Sequence, residues 1–133
     1  MSTGTWVPAE QQASLEITSE WLMQCIERSH NGWTDNLAEH LSDTEIREYA
    51  ACMRSAPALW QDALNAMDED GLLTLMRYFT LAEQQLPGWE AGKQSPVITI
   101  HKHFRKRGFK LPKEVLQWIK ANSDNRYLPY GEL

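Results

Sequence analysis

The sequence lacks an apolar run long enough to cross a membrane. Its strongly apolar stretches, such as residues 72–76, fall far short of the ~20 residues that a transmembrane helix needs. Residues 1–6 contain neither the basic nor the apolar segment of a secretory signal peptide. We therefore expect a cytoplasmic protein with no membrane partner.

Cysteine is scarce as well, with only Cys25 and Cys52 in the chain. One pair without C-x-x-C spacing is too sparse for a disulfide framework. In a reducing compartment both residues are expected to be free thiols that pack as small apolar side chains.

No short catalytic or nucleotide-binding motif is present. H-E-x-x-H, G-x-S-x-G, the P-loop and G-x-G-x-x-G are all missing. The acidic run at Asp68 lacks EF-hand spacing, because Ala66 and Arg77 stand where calcium ligands would be needed. The sequence therefore gives no catalytic residue, no cofactor and no metal ligand to nominate.

His101 and His103 form the one close histidine pair. On a strand they would face the same side and could share a metal, but on a helix they diverge by about 200°. We favour a helix for residues 97–104, because Val97, Ile100 and Phe104 then share a face, although the β-branched run makes a strand the alternative. On that helix His101 lies at the edge of the apolar face, with one hydrogen-bonded nitrogen, and His103 lies among polar residues.

What the sequence does contain is ordinary globular composition and helical periodicity. It has 133 residues, of which 42% are apolar and 23% charged, which is typical of one folded domain. Apolar residues recur at three- and four-residue steps from about residue 13 to residue 121. The prediction is an all-α fold, a single compact domain over 1–133 with about six or seven short helices. Its irregular parts are an N-terminal loop (1–12), an internal loop (86–95) and a C-terminal coil that packs down (122–133).

Charge is distributed unevenly along the chain. Residues 1–92 carry four basic and fifteen acidic side chains, a balance of −11, whereas residues 93–133 carry nine basic and three acidic ones, a balance of +6. Such asymmetry indicates either a segment that binds a polyanion or two surfaces that attract each other. The basic segment could equally fold onto its own acidic neighbour, which would leave nothing free to bind.

Six tryptophans are many for this length, and three of them, Trp6, Trp33 and Trp89, fall in predicted loops. A loop tryptophan either plugs the edge of the core, which is the commoner case, or marks a contact surface. The candidate partner-binding residues combine the basic segment with two of these rings: Lys102, Arg105, Lys106, Lys110, Lys113, Trp33 and Trp89.

Three functions remain open at this point. The leading hypothesis is a small non-enzymatic interaction or adaptor protein that binds a macromolecular partner, or a second copy of itself, through its basic C-terminal helices. The alternative is nucleic-acid binding by residues 96–121, whose outline of helix, glycine-containing turn and helix is that of a helix-turn-helix. The net charge of −5 argues against it, since nucleic-acid-binding domains are usually basic. The third is an enzyme with no recognisable motif.

Overall fold

All the regular secondary structure among residues 16–131 is helical. The computed structural model describes residues 16–131, and these form seven α-helices and no β-strand. The expected all-α fold is confirmed. The helices are α1 (Ser19–His30), α2 (Leu37–His40), α3 (Asp43–Ala50), α4 (Gln61–Asn65), α5 (Glu69–Gln85), α6 (Pro96–Lys106) and α7 (Lys113–Asn122).

Helix α5 is the centre of the packing. It begins where the Asp68 carboxylate accepts a hydrogen bond from the Gly71 amide at 2.7 Å, so the acidic run is a helix start. Its inward face, which includes Leu75, Met76 and Phe79, is fully buried. α1, α6 and α7 all pack against it.

An aromatic cluster joins α1 to the chain between α3 and α5. Trp60 is 1% exposed and meets the Phe79 ring edge-on, with ring centroids 5.5 Å apart. Trp21 lies 6.2 Å from Trp60 and stacks on Tyr49 at 4.4 Å. Trp60 thereby fixes the segment that runs from the 3₁₀ turn Pro57–Leu59 into α4.

The second half of the internal loop is anchored by buried polar contacts. Glu83, 4% exposed, accepts hydrogen bonds from the Ala91 amide at 3.2 Å and from the Ser95 hydroxyl. The same hydroxyl accepts from the Val97 amide and so caps the start of α6. Burial raises the pKa of Glu83 above its ordinary value, and the hydrogen bonds from Ser95 and Ala91 oppose that rise.

The structure decides between helix and strand for residues 97–104 and also places the C-terminal coil. Residues 97–104 are helical, as favoured, because Ser95 and Pro96 start α6 in spite of the β-branched residues that follow. The tail packs down as expected, with Leu128 2% exposed. His101 is buried and its ring meets the Tyr130 ring edge-on, with ring centroids 5.4 Å apart, which joins the tail to α6. The predicted N-terminal loop (1–12) and the last two residues lie outside the described part.

Candidate functional site

The basic side chains predicted to bind a partner all reach the surface. Within residues 16–131 none of them has a carboxylate within 4.0 Å, and the ion pair between Arg28 and Glu45 at 2.9 Å involves none of them. No carboxylate among residues 16–92 therefore forms a direct ion pair with them. The exposed set consists of Lys102, Arg105, Lys106, Lys110 and Lys113.

Three of these cations line a groove of about 550 Å³ between α6 and the Pro57–Leu64 segment. We call it the basic groove. A smaller cleft of about 170 Å³ shares Pro57, Thr99 and Lys102 with it and adds Arg54. Lys110 and Lys113 are not among the residues lining either cavity. The basic groove is lined by Pro57, Gln61, Leu64, Thr99, Lys102, His103, Arg105 and Lys106.

Helical spacing explains why one helix supplies both the core contacts and the groove. Thr99, Lys102, His103 and Lys106 are three or four residues apart and therefore share a face of α6. The face that carries Phe104 is buried in the core. The opposite wall, Pro57 to Leu64, is held in place by Trp60.

His103 departs from its expected position. It was predicted to lie among polar residues, but it is only 6% exposed. Neither ring nitrogen has a hydrogen-bond partner among residues 16–131. Burial, then the nearby Arg107 and Lys106, lower the pKa of His103, so the ring is neutral at neutral pH. It lines the basic groove opposite the Pro57–Leu64 segment, and helix periodicity does not indicate that these distant parts of the chain come together.

The two loop tryptophans differ from each other. Trp89 is 1% exposed and its Nε1 donates to the Ile46 carbonyl at 2.7 Å, so it plugs the core and we remove it from the candidate surface. Trp33 is half-buried, stacks on His40 at 4.7 Å and lies under the Arg28 guanidinium. It is not among the residues lining the basic groove. Trp6 lies outside the described residues.

Helices α6 and α7 do not reproduce the helix-turn-helix outline. Both pack on α5 and barely contact each other. Residues 107–112 connect them, a longer link than the turn of about three or four residues in that motif. This geometry does not favour insertion of α7 into a DNA groove.

Neither cysteine is positioned for nucleophilic chemistry. Both are buried and neither forms a disulfide. Burial raises the pKa of Cys25 to about 12 and that of Cys52 to about 11, so both thiols stay protonated at neutral pH. In the part of the chain that the structure describes, no three His, Cys, Asp or Glu side chains are grouped as metal ligands.

The features that sequence reasoning missed are the second wall of the groove and the unpartnered imidazole. Gln61 and Leu64 lie far from the basic segment along the chain, and only tertiary packing brings them to it.

Among the described helices, none combines the length and the apolar character that spanning a bilayer requires. The chain matches no protein-family model, no curated protein and no solved structure.

Proposed function

We propose that this protein is a non-enzymatic interaction protein that binds an acidic segment of a partner protein in the basic groove. The observation that carries the proposal is that Lys102, Arg105 and Lys106 line one concave site and have no carboxylate partner among residues 16–131. Cations clustered in a cleft attract anions more strongly than scattered cations do, because the low-dielectric walls focus their field.

The charge on the rest of the chain directs an acidic partner to this face. Residues 1–92 have a balance of −11 and repel such a partner, whereas residues 93–133 have a balance of +6 and attract it. Complementarity of this kind speeds association and fixes orientation more than it raises affinity. We therefore expect fast and salt-sensitive binding.

The walls of the groove favour a protein segment over a nucleic acid. The exposed Pro57 offers apolar surface beside the cations, which suits a peptide whose acidic residues flank an apolar one. A long polyanion such as a nucleic acid would also extend over the acidic surface of residues 1–92, which would repel it. A volume of about 550 Å³ is enough for a few side chains, within the range of roughly 300–1,000 Å³ seen for ligand sites.

Charge reversal in the groove is the direct test. The probe is a short fluorescent oligoglutamate peptide, and its binding is followed by anisotropy at low and physiological salt. We expect Lys102→Glu combined with Arg105→Glu to weaken binding by at least about tenfold, because two attractions of up to about 1 kcal/mol each become repulsions. The matched control, Arg47→Glu combined with Lys120→Glu, makes the same change in net charge on α3 and α7.

Each other outcome contradicts the proposal in its own way. Equal losses in both double variants would mean that net charge alone drives binding. Tighter binding of a DNA duplex than of the peptide would favour the nucleic-acid alternative. A sedimentation mass above that of one chain, lost on charge reversal in the groove, would make a second copy the occupant.

A further inference from the structure

The least satisfied polar group in the basic groove is the imidazole of His103. It is 6% exposed, and both of its nitrogens lack a hydrogen-bond partner among residues 16–131. A buried polar group without a partner destabilises the folded protein, and such a group in a native structure calls for an explanation. Both nitrogens are also shielded from solvent, so a polar ligand atom at the floor of the groove would supply the missing partner once the ring turns toward the cavity that His103 lines.

We infer that the groove floor at His103 is a subsite for a phosphoryl group carried by a side chain of the partner protein. This inference rests on the proposed function and names the chemical group that the groove recognises. Its basis is the combination of a cavity, an unpartnered imidazole that lines it, and three cations on the same helix.

The number of donors around the site favours phosphate over carboxylate. Lys102, Arg105 and Lys106 bring ammonium and guanidinium groups to the lining, and Thr99 and Gln61 add a hydroxyl and an amide. A phosphorylated side chain carries about −1.5 to −2 charges and three acceptor oxygens, whereas a carboxylate carries one charge and two oxygens. The arginine fork also matches phosphate geometry and can donate two parallel hydrogen bonds to it.

The neutral imidazole suits this role. Because burial and the neighbouring Arg107 and Lys106 lower its pKa, His103 keeps one N–H to donate and one lone pair to accept at neutral pH. It thus adds a directional contact without adding a fourth positive charge to the cations around it. In the absence of a ligand, that contact is unmade.

The test compares three peptides of one acidic sequence that carry phosphoserine, glutamate or serine at the central position. Anisotropy should show the phosphoserine peptide binding at least about tenfold tighter than the glutamate peptide, the gain expected from one or two further charge-assisted hydrogen bonds. His103→Leu should abolish most of this preference while the phosphoserine and glutamate peptides both still bind. The control His30→Leu replaces an exposed histidine at the end of α1 and should leave the preference unchanged.

Thermal unfolding separates this role from a structural one. Since the His103 nitrogens are unpartnered in the fold, His103→Leu should match or exceed the native melting temperature while it loses the preference for phosphate. If that variant does not fold, Lys102→Gln combined with Lys106→Gln, which changes exposed side chains only, should reduce the same preference.

The outcomes also separate this inference from the proposed function. Equal binding of the phosphoserine and glutamate peptides would overturn the phosphoryl subsite and leave the acidic-segment proposal standing. Binding of neither peptide would overturn both. Tighter binding of a 5′-phosphorylated oligonucleotide than of the phosphoserine peptide would contradict a protein partner.

Discussion

Trp60→Ala is expected to lower the free energy of unfolding by about 3–5 kcal/mol, the usual cost of removing a large aromatic side chain from a packed core. Trp60 is 1% exposed and contacts the rings of Trp21 and Phe79. A domain of this size is stable by only about 5–15 kcal/mol, so the variant should be close to unfolding at 37 °C. Urea denaturation followed by circular dichroism measures the effect.

The adjacent residue provides the control. Leu59 is 63% exposed, and Leu59→Ala should change stability by no more than about 0.5 kcal/mol. If Trp60→Ala and Leu59→Ala lowered the free energy of unfolding by similar amounts, Trp60 would not pack the Pro57–Leu64 wall against α1 and α5 as described. Because Trp60 holds that wall, its loss should also weaken peptide binding under conditions in which the variant is still folded.

Ser95→Ala is expected to cost about 2–4 kcal/mol at pH 7, since one hydroxyl makes two buried hydrogen bonds. It caps α6 through the Val97 amide, a contact worth roughly 0.5–2 kcal/mol. It also donates to the buried Glu83 carboxylate, and hydrogen bonds to charged groups contribute about 1.5–3 kcal/mol.

The loss in Ser95→Ala should depend on pH with a definite sign. Burial already raises the pKa of Glu83, and removing the Ser95 donor raises it further. When the pKa of a carboxyl group is higher in the folded than in the unfolded protein, the free energy of unfolding falls as the pH rises through the interval between the two pKa values. The deficit of the variant should therefore be larger at pH 7 than near pH 4.5.

A second helix cap serves as the matched control. Ser42 caps α3 by accepting from the Glu45 amide at 3.1 Å and has no buried carboxylate partner. Ser42→Ala should cost about 1 kcal/mol and show little change between the two pH values. A Ser95→Ala deficit that is equally small, or constant with pH, would refute the role of the Ser95–Glu83 pair.

Local signals predicted most of the helical architecture. Ser95 and Pro96 are a local helix-start signal, and α6 begins there in spite of the β-branched run that follows. The acidic run before Gly71 is a local signal of the same kind, because negative charge is favourable at a helix start, and the Asp68 side chain caps α5 there. Helix α1 was expected from about residue 13, but residues 16–18 are not helical and the Thr18 side chain caps a helix that begins at Ser19. Each of these helix starts depends on residues within one helical turn of it, so the local sequence is enough to indicate it.

The site was predictable only in part, because half of it comes from elsewhere in the chain. Helical spacing places the α6 cations away from the apolar face that carries Ile100 and Phe104, and they are exposed. His103 lies only about 60° from Ile100 around the helix, so a slightly wider apolar face would have included it. No pattern in the sequence indicates that the Pro57–Leu64 segment forms the other wall of the groove, or that the Trp89 side chain donates to the Ile46 carbonyl.

The most direct measurement of where a partner docks is a titration of the ¹⁵N-labelled protein with the oligoglutamate peptide, followed by amide chemical shifts. If an acidic segment occupies the basic groove, the largest amide shift changes will fall on Lys102, His103 and Lys106 and, on the opposite wall, on Gln61. Shifts centred on α7, or spread evenly over every exposed lysine and arginine, would contradict this account.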